Sequence, residues 1–208
     1  MRAFVAIDLP GFEGPLPPGL WPEDHLTLHF FEDLPVALIA PVVELLSEVA
    51  ASALPFEIEV RGVGAFPSVA RPRVVWAGIG EGDSVLQSLT ERLRQGLIAR
   101  GFSAERRPFV PHATLHRIRS PRDTVWAQEF LRDPENTHRI WARFRATELL
   151  LKESELLPAG ARHTVRARAP LGPAVSDARR PRGSSDGGEG PVPPPEDAPS
   201  PPAARRTG

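Results

Sequence analysis

The chain of 208 residues contains no cysteine. Disulfides, thiolate nucleophiles and cysteine-ligated zinc are therefore excluded together. Lysine is nearly absent as well: Lys152 is the only one among 25 basic residues. An arginine-dominated basic set suits bidentate phosphate recognition, although GC-rich coding produces the same bias. No single sign of charge dominates, because the formal net charge is −1. Bulk polycation attraction to nucleic acid is thereby ruled out as the organising force. Nor does a long apolar run open the chain: Met1-Arg2-Ala3-Phe4-Val5-Ala6-Ile7-Asp8 turns polar quickly and then meets Pro10. That is too short for the apolar region of a signal peptide or for a membrane span. A soluble cytoplasmic protein with no membrane partner is expected.

Hydrophobic residues make up 41% of the chain, enough to build a core. The length fits one domain or one domain of two small lobes. The last aromatic residue is Phe144, and periodic patterning fades after Leu171. From Pro173 to Gly208 there are nine prolines and five glycines with almost no large apolar side chains. Such a segment cannot bury enough surface to offset its ordering entropy. The expected organisation is a folded domain over 1–172 and a disordered Pro/Gly/Arg-rich tail over 173–208. The tail's arginines, Arg179, Arg180, Arg182, Arg205 and Arg206, read as solvated charge.

Within the folded part, residues 4–7 read as a strand and the proline-rich stretch 10–20 as a loop. Residues 25–30 alternate with period two, the mark of a half-buried strand. Pro41 reads as a first-turn residue opening a helix over 42–51. Strands are expected at 56–60 and 73–78. Between that pair and the next motif, Ser84-x-x-Gln87 reads as a capping box heading a helix that ends at Gly101. Val85, Leu86, Leu89, Leu93 and Leu97 form its buried stripe. A strand at 112–116, a helix at 124–131, a strand at 144–152 and a last strand at 163–169 follow. His25 to Phe56 is 31 residues and His112 to Phe144 is 32. This recurrence suggests two similar lobes, and the expected architecture is α+β, with antiparallel sheets inward and helices outside.

The chemistry rests on two short motifs, His25-Leu26-Thr27 and His112-Ala113-Thr114. With six histidines and eight threonines in the chain, chance supplies roughly 0.23 His-x-Thr matches. Two occur, each followed by leucine and each at the same place in the repeat. On a strand, residues i and i+2 share a face roughly 6.6 Å apart. Apposed lobes would bring two imidazoles and two hydroxyls together. Imidazole titrates near neutral pH, so one ring can accept a proton from water while the other donates one to a departing oxygen. The threonine hydroxyls can hold the non-bridging oxygens of a phosphate. His25/His29 and His112/His116 also have the i,i+4 spacing of helical zinc sites. On strands that spacing is roughly 13 Å, too long for one metal to bridge. No metal and no cofactor is expected.

These residues resemble the 2H phosphoesterases, and within them the RNA 2′,3′-cyclic phosphodiesterases, also described as 2′-5′ RNA ligase-like proteins. The resemblance is carried by residues 1–10 (MRAFVAIDLP), 25–30 (HLTLHF), 62–67 (GVGAFP), 71–76 (RPRVVW), 106–117 (RRPFVPHATLHR) and 151–156 (LKESEL). It implies a bilobal fold with pseudo-twofold symmetry and metal-independent hydrolysis of an RNA 2′,3′-cyclic phosphate to a 2′-phosphomonoester. His25 corresponds to the proton donor and His112 to the acceptor. Those roles come from the resemblance alone, because the two motifs are chemically equivalent. Thr27 and Thr114 correspond to phosphate-binding residues, Arg117 matches the arginine often found after the second motif and is a candidate phosphate contact, and Phe30 is a candidate for base stacking. The implied substrates are RNA ends or small cyclic nucleotides, and the implied state is a monomer.

The chain departs from the family in its shorter, proline-rich segment before His25. It also departs at His29 and His116, which are expected at the cleft edge, adding positive charge below about pH 6.5. Two other functions compete: 2′-5′ RNA joining or 2′-5′ oligonucleotide cleavage at the same site, and a non-catalytic module that binds RNA ends.

Overall fold

A computed structural model of the chain describes residues 1–20, 22–103, 108–158 and 160–173. The expected tail beyond Pro173 and the Arg106–Arg107 pair lie outside the described residues. Eight strands form one antiparallel sheet in the order β6-β3-β4-β5-β2-β1-β7-β8. The strands are β1 (Ala3–Asp8), β2 (His25–Phe31), β3 (Phe56–Ser68), β4 (Arg71–Ile79), β5 (His112–Arg117), β6 (Ile140–Ala146), β7 (Glu148–Leu157) and β8 (Gly160–Pro170). The helices are α1 (Ile39–Ala51), α2 (Asp83–Ala99), α3 (Pro121–Arg132) and the short α4 (Pro134–His138).

The two lobes are the two halves of that strand order, joined where β2 meets β5 through the Leu26–Ala113 pair. Each lobe places its motif strand innermost. One lobe carries α1 and α2, which pack on each other and on β7, β8 and β2; the other carries α3 and α4, packed on β3 and β4. The α+β class and the two related lobes are as expected. The lobes do not follow the chain as a first and a second half, however. β1, β2, β7 and β8 come from both ends of the domain and enclose β3–β6 in sequence.

Three local expectations are corrected. The strand expected at 144–152 is two strands in different lobes, β6 and β7, separated by Thr147 alone. Neither glycine nor proline punctuates that crossing, and the break in alternation at Thr147-Glu148 alone does not mark a strand end. In a flat sheet the two would be six steps of about 4.8 Å apart, so a one-residue link requires the sheet to curve strongly. As β6 begins at Ile140, the spacing from His112 to the next strand is shorter than the apparent repeat.

The second correction concerns α2. It starts at Asp83 on a left-handed Gly82 (φ 88°), with no side-chain cap, so Ser84 is already inside the helix. The capping box that does form is on α3, where Ser120 and Asp123 cap reciprocally ahead of Pro121. The third is that α1 begins at Ile39, which makes Pro41 its third residue. A proline is tolerated there because the first-turn N–H groups lack partners. The end of α2 is as expected: Gly101 adopts φ 84°, and Gly101 and Phe102 donate to Ile98 and Leu97, a Schellman closure.

Leu86, Leu89, Leu93 and Leu97 of α2 are buried, and Val85 lies at the margin of the core. Gly96 lets α1 approach, because a Cβ there would stand 2.2 Å from Leu45. Residues 10–20 contain neither helix nor strand, as their prolines require. Among the described residues no helix is long and apolar enough to cross a membrane.

Candidate active site

The Leu26–Ala113 pair is the centre of the site. Both side chains are buried in the core (2% and 0% exposed) on the helix-covered face. Side chains alternate along a strand, so His25, Thr27, His112 and Thr114 all project from the opposite face. Antiparallel register places His25 across from Thr114, and Thr27 across from His112. The histidines are then diagonal neighbours, roughly 7–8 Å apart between backbones. That separation leaves room for one tetrahedral group between the rings.

Immediately after each motif the ladder slips by one residue. Val5 pairs with His29 but Ala6 with Thr27, so Leu28 is the extra residue of a β-bulge. Val75 pairs with His116 but Trp76 with Thr114, so Leu115 is its counterpart. Each bulge reverses the alternation. Phe30 and Arg117, rather than His29 and His116, therefore share the face of the catalytic candidates.

The expected place of His29 at the cleft edge is corrected accordingly, whereas His116 does reach the cavity but is held back from charging near pH 6.5. His29 packs against Phe31, at 4.6 Å between ring centroids, and Phe31 belongs to the core. His116 is 8% exposed, lies against Trp126 of α3, and is one of the residues lining the cavity. Its Nε2 is 3.9 Å from Asp123, and burial holds the ring below the usual histidine range. Unbroken alternation was the assumption that failed.

His25 and His112 are held differently. His112 donates from Nδ1 to the Val110 carbonyl at 2.7 Å, because a carbonyl can only accept. Its Nε2 is thereby left as the basic nitrogen. Burial is the largest influence on this ring and holds it below the usual histidine range. The Val110 hydrogen bond and the Glu23 charge oppose burial, and Arg117 reinforces it. His25 is 5% exposed. Its Nδ1 meets the Asp24 carboxylate at 3.0 Å and its Nε2 lies 3.7 Å from Glu23. Burial acts to raise the Asp24 carboxyl, but the His25 hydrogen bond and the Lys152 charge together bring it below its ordinary value. Lys152, also buried, is ion-paired with Asp8.

A cavity of about 670 Å³ opens beside His25 and Thr27. Phe30 and Arg117, the two expected substrate contacts, both line it. Phe30 is 39% exposed, and the Arg2 guanidinium lies over its ring at 4.6 Å. Arg117 donates from Nε to Glu23 at 2.8 Å, and the Glu23 amide in turn donates to the Thr114 carbonyl. Glu23 thus ties the two motifs together. Sequence reasoning missed Glu23, Asp24, Lys152 and His163. The acidic pair directly preceding His25 and the solitary lysine inside an apolar strand were visible signals; His163 had none beyond its residue type. Among the described residues, no set of three His, Asp or Glu side chains converges as metal ligands.

A curved α+β sheet with two equivalent His-x-Thr strands at its centre defines a two-histidine phosphoesterase fold. The TT0787 protein of Thermus thermophilus has this fold: its crystal structure matches 84% of this chain and 100% of its own, at 27% identity and a TM-score of 0.63. The family model of the 2′-5′ RNA ligase superfamily matches residues 14–154, and this chain belongs to that superfamily. An RNA 2′,3′-cyclic phosphodiesterase of Methanothermobacter thermautotrophicus is 34% identical over 140 residues, 67% of this chain and 74% of the relative. One from Aeropyrum pernix is 38% identical over 109 residues, 52% of this chain; the chain spans 61% of that relative's length.

Proposed function

We propose that this chain hydrolyses the 2′,3′-cyclic phosphodiester at RNA ends to a 2′-phosphomonoester, without a metal ion. The observation that carries the reading is the Leu26–Ala113 register, which sets His25, Thr27, His112 and Thr114 on one face of two adjoining strands, with the two rings in unlike settings. His112 is held neutral by burial and offers Nε2 as the base. His25 has a carboxylate beside each ring nitrogen, a setting that accommodates an imidazolium donor.

Water attacks phosphorus and gives its proton to His112 Nε2. The P–O3′ bond breaks, and O3′ takes a proton from His25 Nε2. The phosphate stays on O2′, and the two histidines are reset by exchange with solvent. Thr27 and Thr114 hold the non-bridging oxygens as charge builds on them. Phe30 stacks the terminal base, and Arg117 contacts the phosphate from the cavity rim.

The relatives' names support this substrate class over 2′-5′ joining, and the intact acid–base pair favours turnover over mere binding. The test is incubation of an RNA carrying a 2′,3′-cyclic phosphate in EDTA, followed by identification of the product end. A 2′-phosphate formed by the wild type and lost in His25→Ala and His112→Ala is expected. Binding without turnover, or activity abolished by chelation, would contradict the proposal.

A further inference from the structure

Each histidine of the site has two aromatic neighbours, one tilted and one edge-on. For His112, Trp76 is tilted (6.1 Å, 57°) and Phe66 is edge-on (5.0 Å, 84°). For His25, Phe4 is tilted (4.7 Å, 33°) and the edge-on ring is His163 (5.2 Å, 77°). His163 also meets Phe4 edge-on at 4.9 Å and lines the cavity beside His25. The place that an inert phenyl fills at one motif is filled at the other by a ring that can gain charge. Its Nδ1 is buried without a hydrogen-bond partner, so that nitrogen makes no hydrogen bond that a phenyl would forfeit.

We propose that His163 is a positioning residue of the active site: while uncharged it holds the His25 ring edge-on, and once protonated it repels the His25 imidazolium and disrupts that orientation. This rests on the reading of His25 as the proton donor. The charged groups facing His163 are His25 on β2, Glu23 and Asp24 on the preceding loop, and Lys152 on β7, itself paired with Asp8 of β1. On its own strand, Arg162 is paired with Glu155. Burial is the first cause holding His163 below the usual histidine range, and the His25 charge is the second. Lys152 adds to them, while Asp24 and Glu23 oppose. A second imidazolium beside a charged His25 is thereby disfavoured.

Two measurements test this. The first is the acid limb of kcat for the wild type, His163→Phe and His163→Ala. The wild type should lose activity with a slope approaching two protons, from His112 and His163, whereas His163→Phe should show a slope of one. His163→Phe should also turn over at least tenfold faster than His163→Ala, since phenyl restores the edge-on packing. If His163→Ala fails to fold, the wild-type and His163→Phe slopes still decide.

The second is the ring ¹⁵N titration of His163, which needs no turnover. In His25→Gln the His163 titration should move up by more than about 0.5 pH unit, because interacting sites titrate as a pair. Identical acid limbs in wild type and His163→Phe, or an unmoved His163 titration, would overturn the proposal. A wild type inactive on cyclic phosphate would instead overturn the hydrolysis reading, with the titration still reporting on the two rings.

Discussion

His112 donates its Nδ1 proton to a main-chain carbonyl, so any proton it takes from substrate water must enter at Nε2. That single bond fixes both tautomer and ring plane. Acid–base groups of this kind contribute about 10²–10⁴-fold, and His112→Gln and His25→Gln should each lower kcat by that order with the fold unchanged by circular dichroism. Thr27→Val and Thr114→Val should each lower kcat about 10²-fold while leaving KM nearly unmoved, because their hydrogen bonds strengthen as charge develops. At this scale the sequence was most legible. The His-x-Thr pair identified four side chains that the Leu26–Ala113 register sets on one face of adjoining strands, whereas the groups around them were only partly legible. Asp24 and Glu23 act through a loop, and His163 arrives from the last strand. A contact between residues as far apart in the chain as His25 and His163 leaves no periodic trace.

At the level of elements, the bulges at Leu28 and Leu115 decide which residues face substrate. Alternation predicted the strands but not these single-residue slips, and it therefore assigned His29 to the wrong face. Hydrophobic patterning cannot register a bulge when the inserted residue is itself apolar and buried, as both leucines are. The neighbouring β3–β4 pair is similarly exacting. The Trp76 indole lies over Gly64, where a Cβ would fall 2.2 Å from the ring. Gly64→Ala should destabilise the fold by about 1–3 kcal/mol through overpacking, as read from denaturant midpoints. It should also weaken catalysis, because Trp76 and Phe66 are the ring partners of His112.

For the whole molecule, three partly or fully buried histidines, His112, His116 and His163, are each held below the usual range, with burial the largest cause. The unfolded chain binds protons at these positions near pH 6.5 and the folded chain only at lower pH. Between those values the unfolded state carries more protons, so stability must fall as pH drops below about 6.5. The midpoint of thermal unfolding should decline between about pH 6.5 and 5, above the range where carboxylates protonate. His116→Leu, which removes a buried ring whose nitrogens make no hydrogen bond within 3.5 Å, should flatten that decline; an unchanged slope would contradict the assignment. The lobes themselves were legible as a recurrence, but not their interleaving, because the crossing at Thr147 lies within what reads as one strand.

The division of labour between the two histidines is the central claim, and one substitution in the substrate tests it directly. Replacing O3′ of the cyclic phosphate with sulfur gives a leaving group that departs as thiolate and needs no proton. His25→Ala should then recover most of the wild-type rate on the 3′-sulfur substrate, while His112→Ala remains as slow as on the oxygen substrate. Recovery by His112→Ala and not by His25→Ala would reverse the roles and contradict the account.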